Sequence, residues 1–285
     1  MDRGRWRSGL RPGEGSQVTK PTPGPVAPLV VTARGLTKTF STRSGPVTAL
    51  GGFDLDVADG EFVSILGPSG CGKTTTLSII GGLVPASSGE VTVLGKRVTS
   101  PVTDTGIVFQ RDLLLPWRTV LANVLLQGEI RRLPMAEQAD RARALLQQVG
   151  LEGFENKLPQ ELSGGMRQRV AICRALVHNP PILLMDEPFG ALDAMTRDQM
   201  NLDIQRVWHA SRKTVLFVTH SIIEAVFLSD RVVVMSPRPG TVRADVAIDL
   251  PRPRQLAIRE DAVFTRYTRH IREMFQQMGL LREEV

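Results

Sequence analysis

Apolar and polar residues alternate from Leu29 through LVVTARGLTKTF, the period of a strand with one buried face, and a second β-rich run spans Val47 to Val57. Together they predict two early antiparallel strands. A short apolar run, Glu61 to Leu66 (EFVSIL), follows, then a helix-like stretch from Thr75 to Gly82. Gly89 to Val98 (GEVTVLGKRV) reads as a strand, a turn at Leu94-Gly95 and a short return; Thr105 to Phe109 is one more strand, ending at Gln110. Beyond it the period becomes helical: Thr119 to Gly128, then Met135 to Val149, an amphipathic run that Pro134 opens and Gly150 closes. Short apolar strands return at Ile182 to Met185, Val215 to Val218 and Val232 to Met235, with a helical pattern between each and the next. That alternation predicts a parallel α/β fold. An extended stretch, Thr241 to Leu250, some Pro-rich punctuation and an amphipathic helix from about Asp261 to Met278 follow, and no internal repeat is visible.

With 285 residues and 42% hydrophobic content, the chain is long and apolar enough to bury a full core. No apolar run approaches the roughly 18 to 20 residues of a membrane-spanning helix, so a membrane role has to come through a partner or a surface contact. The only cysteines, Cys71 and Cys173, make neither a disulfide framework nor a zinc pattern, which fits a reducing cytoplasm. Half of the net charge of +6 falls in residues 1–28, where Arg3, Arg5, Arg7, Arg11 and Lys20 face only Asp2 and Glu14. That Gly- and Pro-rich stretch is expected to be a disordered basic tail without the apolar core of a secretion signal. It reads as a solvated extension, as the product of a start codon placed too far upstream, or as an arm for anionic lipid.

Between the run ending at Leu66 and the helix beginning near Thr75 lies GPSGCGKT, comprising Gly67, Pro68, Ser69, Gly70, Cys71, Gly72, Lys73 and Thr74. Repeated glycine lets a backbone wrap an anion with its N–H groups inward, and the following helix offers its positive end to the same group. Lys73 adds a full charge, the Thr74 hydroxyl is placed to ligate Mg²⁺ between phosphates, and Thr75 adds a second hydroxyl. Cys71, beside a helix N-terminus and Lys73, is expected to have a lowered thiol pKa, so that alkylating it blocks nucleotide binding and MgATP protects it. A second element, LLMDEP (Leu183 to Pro188), is an apolar strand delivering Asp186 and Glu187 at its C-terminal end, where α/β sheets place ligands. Asp186 is expected to hold the Mg²⁺ shell and Glu187 to orient and deprotonate a water. The third, LSGGMRQR (Leu162 to Arg169), opens a helix running to about Val177 on a Ser-Gly-Gly turn, a second anion-binding helix N-terminus in one chain.

These motifs, in this order, resemble the nucleotide-binding subunit of an ATP-binding cassette (ABC) transporter, and the resemblance covers residues 29 to 240. GPSGCGKT is similar to the Walker A loop, Gln110 to the Q-loop glutamine, LSGGMRQR to the family signature with Met166 where glutamine is commoner, and ILLMDEP to the Walker B strand. Ala191-Leu192-Asp193 is similar to the D-loop and His220 to the switch histidine, while Phe40 stands where the family stacks an aromatic ring on adenine. The implied fold is α/β, a P-loop NTPase (RecA-like) core with an antiparallel β subdomain and an inserted α-helical subdomain at about 111–176. The ATPase domain would span 29–250 and a C-terminal helical extension 251–285.

The resemblance also implies ATP and Mg²⁺ as cofactors. Lys73, Gln110, Glu187 and His220 would form the catalytic set, and Thr74, Gln110 and Asp186 the metal set. Two copies would meet head to tail, so that Ser163, Gly164 and Gly165 of one act on the ATP of the other; one chain's signature helix and phosphate loop are not expected to reach a single γ-phosphate. Further expected partners are integral membrane permease subunits and, indirectly, an extracytoplasmic solute-binding protein, placing the chain at the cytoplasmic face of the cell membrane. Leu113, Leu114, Leu115 and Trp117 around Pro116 read either as lining for a permease helix or as closure of the helical subdomain's core. VFQ followed by LLPW and VLANV, with SPRPG at Ser236 to Gly240 and DLPRPR at Asp249 to Arg254, most resembles importers of nitrate, sulfonate or taurine. A soluble ABC ATPase of DNA repair or translation is the alternative, but no coiled coil, zinc module or second cassette is present. Nucleic acid is not an expected partner.

Overall fold

The computed structural model describes residues 27–280, so the stretch 1–28 lies outside the described residues except for its last two positions. β1 (Leu29–Thr42) and β2 (Gly45–Ala58) form the antiparallel pair predicted from the alternation. β4 (Ser88–Val93) pairs antiparallel with β1, and the two-residue β5 (Lys96–Arg97) returns from it after the turn at Leu94-Gly95, giving the order β2-β1-β4-β5.

The second sheet is built on short strands whose residues are mainly apolar and buried. β3 (Phe62–Leu66), β6 (Thr105–Val108), β7 (Ile182–Asp186), β8 (Thr214–Thr219) and β9 (Arg231–Met235) run parallel, and β10 (Val242–Ala247) pairs antiparallel at the edge, in the order β10-β9-β3-β8-β7-β6. Side chains alternate between two cores. Val63, Ile65, Leu184, Leu216 and Val233 meet the inner face of the first sheet and α1 (Lys73–Ile80), whereas Phe62, Leu66, Met185, Phe217 and Val234 turn to the opposite layer. A strand buried on both faces needs a mostly apolar run, which these strands show; Ser64 inside β3 is buried with its hydroxyl paired to that of Ser229. Each such side chain contributes roughly 1.5–3 kcal/mol on burial.

The opposite layer is built from α5 (Ala194–Ser211), α6 (Ile222–Leu228) and α7 (Ala262–Gln277), with Phe62 edge-on to Trp208 at a centroid distance of 5.9 Å. Arg254 is buried there. Its guanidinium donates to the carbonyls of Val226, Phe227 and Ser229 at 2.9, 3.0 and 2.8 Å, and burial lowers its pKa to about 10. Three helices lie between β6 and β7 in the chain: α2 (Val120–Ile130), α3 (Met135–Gln148) and α4 (Gly164–Leu176). α4 approaches β6 so closely that a Cβ on Gly106 would stand 2.3 Å from the Ala175 carbonyl. The buried amide of Asn123 donates to the carbonyls of Leu115, Arg118 and Thr119 and accepts from the Leu115 N–H, pinning the Leu-Pro-Trp loop to α2. Because β3, β6, β7 and β8 are parallel, their C-terminal ends share one edge of the sheet, and four of the sequence motifs leave from that edge.

Candidate nucleotide site

The loop after β3 wraps a cleft of about 360 Å³. Gly70 and Gly72 have φ of 75° and 106°, and a Cβ on Gly72 would lie 2.9 Å from the Ala49 carbonyl, so the tight turn requires glycine there. α1 begins at Lys73, two residues before the sequence pattern placed it, because Gly72 is its N-cap. Gly72 brings no side-chain acceptor and the first turn holds no acid, leaving the helix's unpaired N–H groups and positive end to the cleft.

Lys73 is buried; its ammonium donates to the carbonyls of Gly67 (2.9 Å) and Pro68 (3.0 Å) and stands 3.3 Å from Glu187 Oε1. Thr74 Oγ1 donates to Asp186 Oδ1 at 2.9 Å, tying α1 to the end of β7. Burial raises the Asp186 pKa, an effect the Thr74 hydrogen bond only partly offsets. Glu187 continues the parallel ladder through its N–H to the Val218 carbonyl (2.9 Å) at a φ of 42°, a left-handed conformation uncommon for a residue with a side chain. Its other oxygen, Oε2, is 3.0 Å from His220 Nδ1, at the end of β8. Gln110, after β6, lines the same cleft; a Cβ on Gly190 would lie 3.8 Å from its amide nitrogen and 3.9 Å from Glu187 Oε2. Ser69, Gly70, Thr75 and Phe40 also line it, as do Ala49 and Val47, the strand partner of Phe40. A carboxylate held between an ammonium and an imidazole beside an anion-binding loop has the equipment to take a proton from water near a bound phosphate.

The Ser-Gly-Gly turn lies elsewhere. Ser163 is the N-cap of α4, its Oγ accepting from the Met166 N–H at 3.3 Å, and Gly165 packs where a Cβ would meet Thr196 at 2.5 Å. Ser163 and Gly164 are exposed, and none of Ser163, Gly164 and Gly165 lines the cleft.

Cys71 corrects an expectation. It is buried beneath Gly67, where a Cβ would stand 2.8 Å from its sulfur, and burial raises its thiol pKa against the weaker opposing charge of Lys73. Native Cys71 is therefore expected to react with iodoacetamide at neutral pH roughly tenfold or more slowly than in urea. Peptide mapping of the labelled chain measures this, and comparable rates would show an accessible thiolate.

Two features escaped the motif reading. Glu224, buried in α6, accepts from Thr219 Oγ1 at 2.6 Å and lies 3.5 Å from Arg197 Nε, while Arg197 Nη2 donates to the Leu192 carbonyl at 2.8 Å. The Leu192-Asp193 segment and the His220 turn are thus joined through one carboxylate. Arg238, from the turn after β9, also lines the cleft.

Comparison with known proteins agrees with this geometry. The ABC transporter family model matches residues 50–190. An uncharacterized ABC transporter ATP-binding protein of Methanocaldococcus jannaschii is 48% identical over 250 residues, covering 88% of this chain and 90% of that protein. A taurine import ATP-binding protein of Rhizobium johnstonii is 50% identical over 214 residues, 75% and 82% of the two chains. Among solved structures, a dimeric bacterial ABC transporter cassette superposes with a TM-score of 0.69 at 35% identity, covering 78% of this chain and all of that one. With a phosphate-loop α/β core carrying an antiparallel sheet and inserted helices, the chain belongs to the ABC transporter family, as one of its ATP-binding, ATP-hydrolysing subunits.

Proposed function

We propose that the chain drives import of a small organic anion of the sulfonate type, hydrolysing ATP between two copies of itself bound to membrane permease subunits, with Glu187 as general base. One observation carries the assignment of the base: Glu187 is held between Lys73 and His220 at the mouth of the phosphate loop. In this reading Phe40 stacks on adenine, Gly67 to Thr75 hold the phosphates, Lys73 offsets their charge, and His220 orients Glu187 and donates to the terminal phosphate. In the same reading the Gln110 amide orients the attacking water, which its place in the cleft lining supports.

The donor set suits Mg²⁺. The Thr74 hydroxyl and the Asp186 carboxylate, hard oxygen donors 2.9 Å apart, stand beside the loop, and Gln110 adds an amide oxygen; these three would hold the ion. When bound, it would neutralise charge on the phosphate oxygens.

The dimer is supported by the exposed Ser163-Gly164 turn lying outside the cleft and by the dimeric solved relative. Anion import is supported by the relative named for taurine import. Delivery by an extracytoplasmic binding protein belongs to the same reading. A permease contact is supported by the loop that Asn123 pins: Leu114 packs inward, but Leu113 is 50% and Trp117 74% exposed. Replacing Trp117 by Glu is expected to abolish copurification with the permease and uptake of labelled taurine, while soluble ATPase activity stays within about twofold, because hot-spot aromatics act through the partner. Retained copurification would count against this surface, and wild-type cells that take up no sulfonate would count against the solute class.

A further inference from the structure

We propose that Arg238 is a nucleotide-binding residue, its guanidinium contacting the phosphate chain of ATP from outside the phosphate loop; the inference rests on the nucleotide reading of the cleft. Among the described residues lining the cleft, Lys73 and Arg238 are the basic ones. Lys73 is already engaged by Gly67, Pro68 and Glu187. Arg238 has no carboxylate partner among the described residues: its Nε donates to the Gly70 carbonyl at 3.1 Å, and the remaining guanidinium N–H groups, at the cleft wall, have no protein acceptor among those residues. A planar fork of donors fits phosphate oxygens, and one anchored at Nε loses little freedom on binding them. The charge balance is compatible with this. Glu187 and the adjoining Asp186 outweigh Lys73, and a bound Mg²⁺ would offset only part of the charge of a polyanionic triphosphate, which leaves a role for a further cation such as Arg238.

The turn that carries Arg238 is built to hold position. Gly240 donates to the Ala49 carbonyl at 2.9 Å and accepts from the Gly51 N–H at 3.0 Å, and Ser236 Oγ closes the turn with Thr241 Oγ1 at 2.9 Å. A Cβ on Gly240 would stand 2.0 Å from the Cys71 carbonyl, so the turn lies directly on the phosphate loop. The backbone that carries Arg238 is therefore held against the phosphate loop, and its exposed side chain reaches back to Gly70.

The test measures affinity of the full chain for a non-hydrolysable ATP analogue with Mg²⁺, and for adenosine, at low and high salt. Arg238→Ala is expected to weaken analogue binding about tenfold at low salt, the usual worth of one charged hydrogen-bonding contact, with Arg238→Lys recovering part of the loss. The gap is expected to shrink in about 1 M salt, where the screening length falls to about 3 Å, and adenosine binding is expected to be unchanged. An equal loss at both salts, or an equal loss for adenosine, would assign Arg238 to shaping the loop and overturn the proposal. So would binding within about twofold of wild type at low salt, or an effect confined to dimer formation. Should the Ala variant melt without ligand at a much lower temperature, Arg238→Gln is measured in its place. A wild-type chain that binds no nucleotide would sink the underlying reading instead, a result distinct from each of these.

Discussion

Glu187→Gln is expected to lower ATP turnover by about 10² to 10⁴ while leaving nucleotide affinity nearly intact, because a general base acts on the water rather than on ground-state binding. Gln is close in shape to Glu and can keep hydrogen bonds to Lys73 and His220, which lie 3.3 and 3.0 Å from the two carboxylate oxygens. It also meets the same left-handed backbone at a φ of 42°, so the fold has no reason to change. Removal of the proton acceptor is then the whole difference. With hydrolysis blocked, ATP should hold two copies together, and gel filtration should show an ATP-dependent dimer that the wild type forms only transiently. Near-normal hydrolysis by this variant would take the role of base away from Glu187.

The next largest effect concerns Ser163. Ser163→Asp keeps the helix cap, since Asp also accepts from the N–H groups of α4, so the fold is preserved. It places a negative charge where the neighbouring copy's phosphates would sit, and turnover should fall by about 10² to 10³, the scale of losing an electrostatic donor to a developing charge. Lys73→Ala should fail for the complementary reason, in its own cleft. Mixing the two inactive proteins gives the sharper result. A head-to-tail heterodimer contains one cleft with an intact loop and an intact Ser-Gly-Gly cap, so random mixing should restore roughly a quarter of wild-type activity. A mixture as inactive as its components would mean that each chain works alone or that both clefts must fire together. Nucleotide crosslinking to residues near Ser163 of the neighbouring copy separates those two outcomes.

The places of the strands along the chain were legible because burial on both faces demands mostly apolar runs, and β3, β7, β8 and β9 are each built on one. The phosphate loop was legible for a different reason: its glycines answer local backbone needs that show in a few adjacent letters. Depth was not legible. Cys71 has Lys73 and a helix start beside it in sequence, which argued for an acidic thiol, yet the sheet buries it and burial dominates. The LLLPW run showed its hydrophobicity but not its orientation, which Asn123 decides from the next helix by turning Leu114 inward and leaving Trp117 outside. Arg238 meets Gly70 across 168 residues of chain, and the Glu224 link to Arg197 joins two helices separated by β8. Contacts of that reach have no spacing rule to reveal them.

The guanidinium of Arg254 sits at the C-terminal end of α6, taking three backbone oxygens that have no water to turn to. A shortened version of the protein stopping just past β10 would strand those oxygens and lay bare the wall covered by Phe264 and Ile271. Any ancestor or engineered cassette lacking this appendage must therefore repair the wall with its own side chains, and a fusion tag belongs after the final helix, never before it.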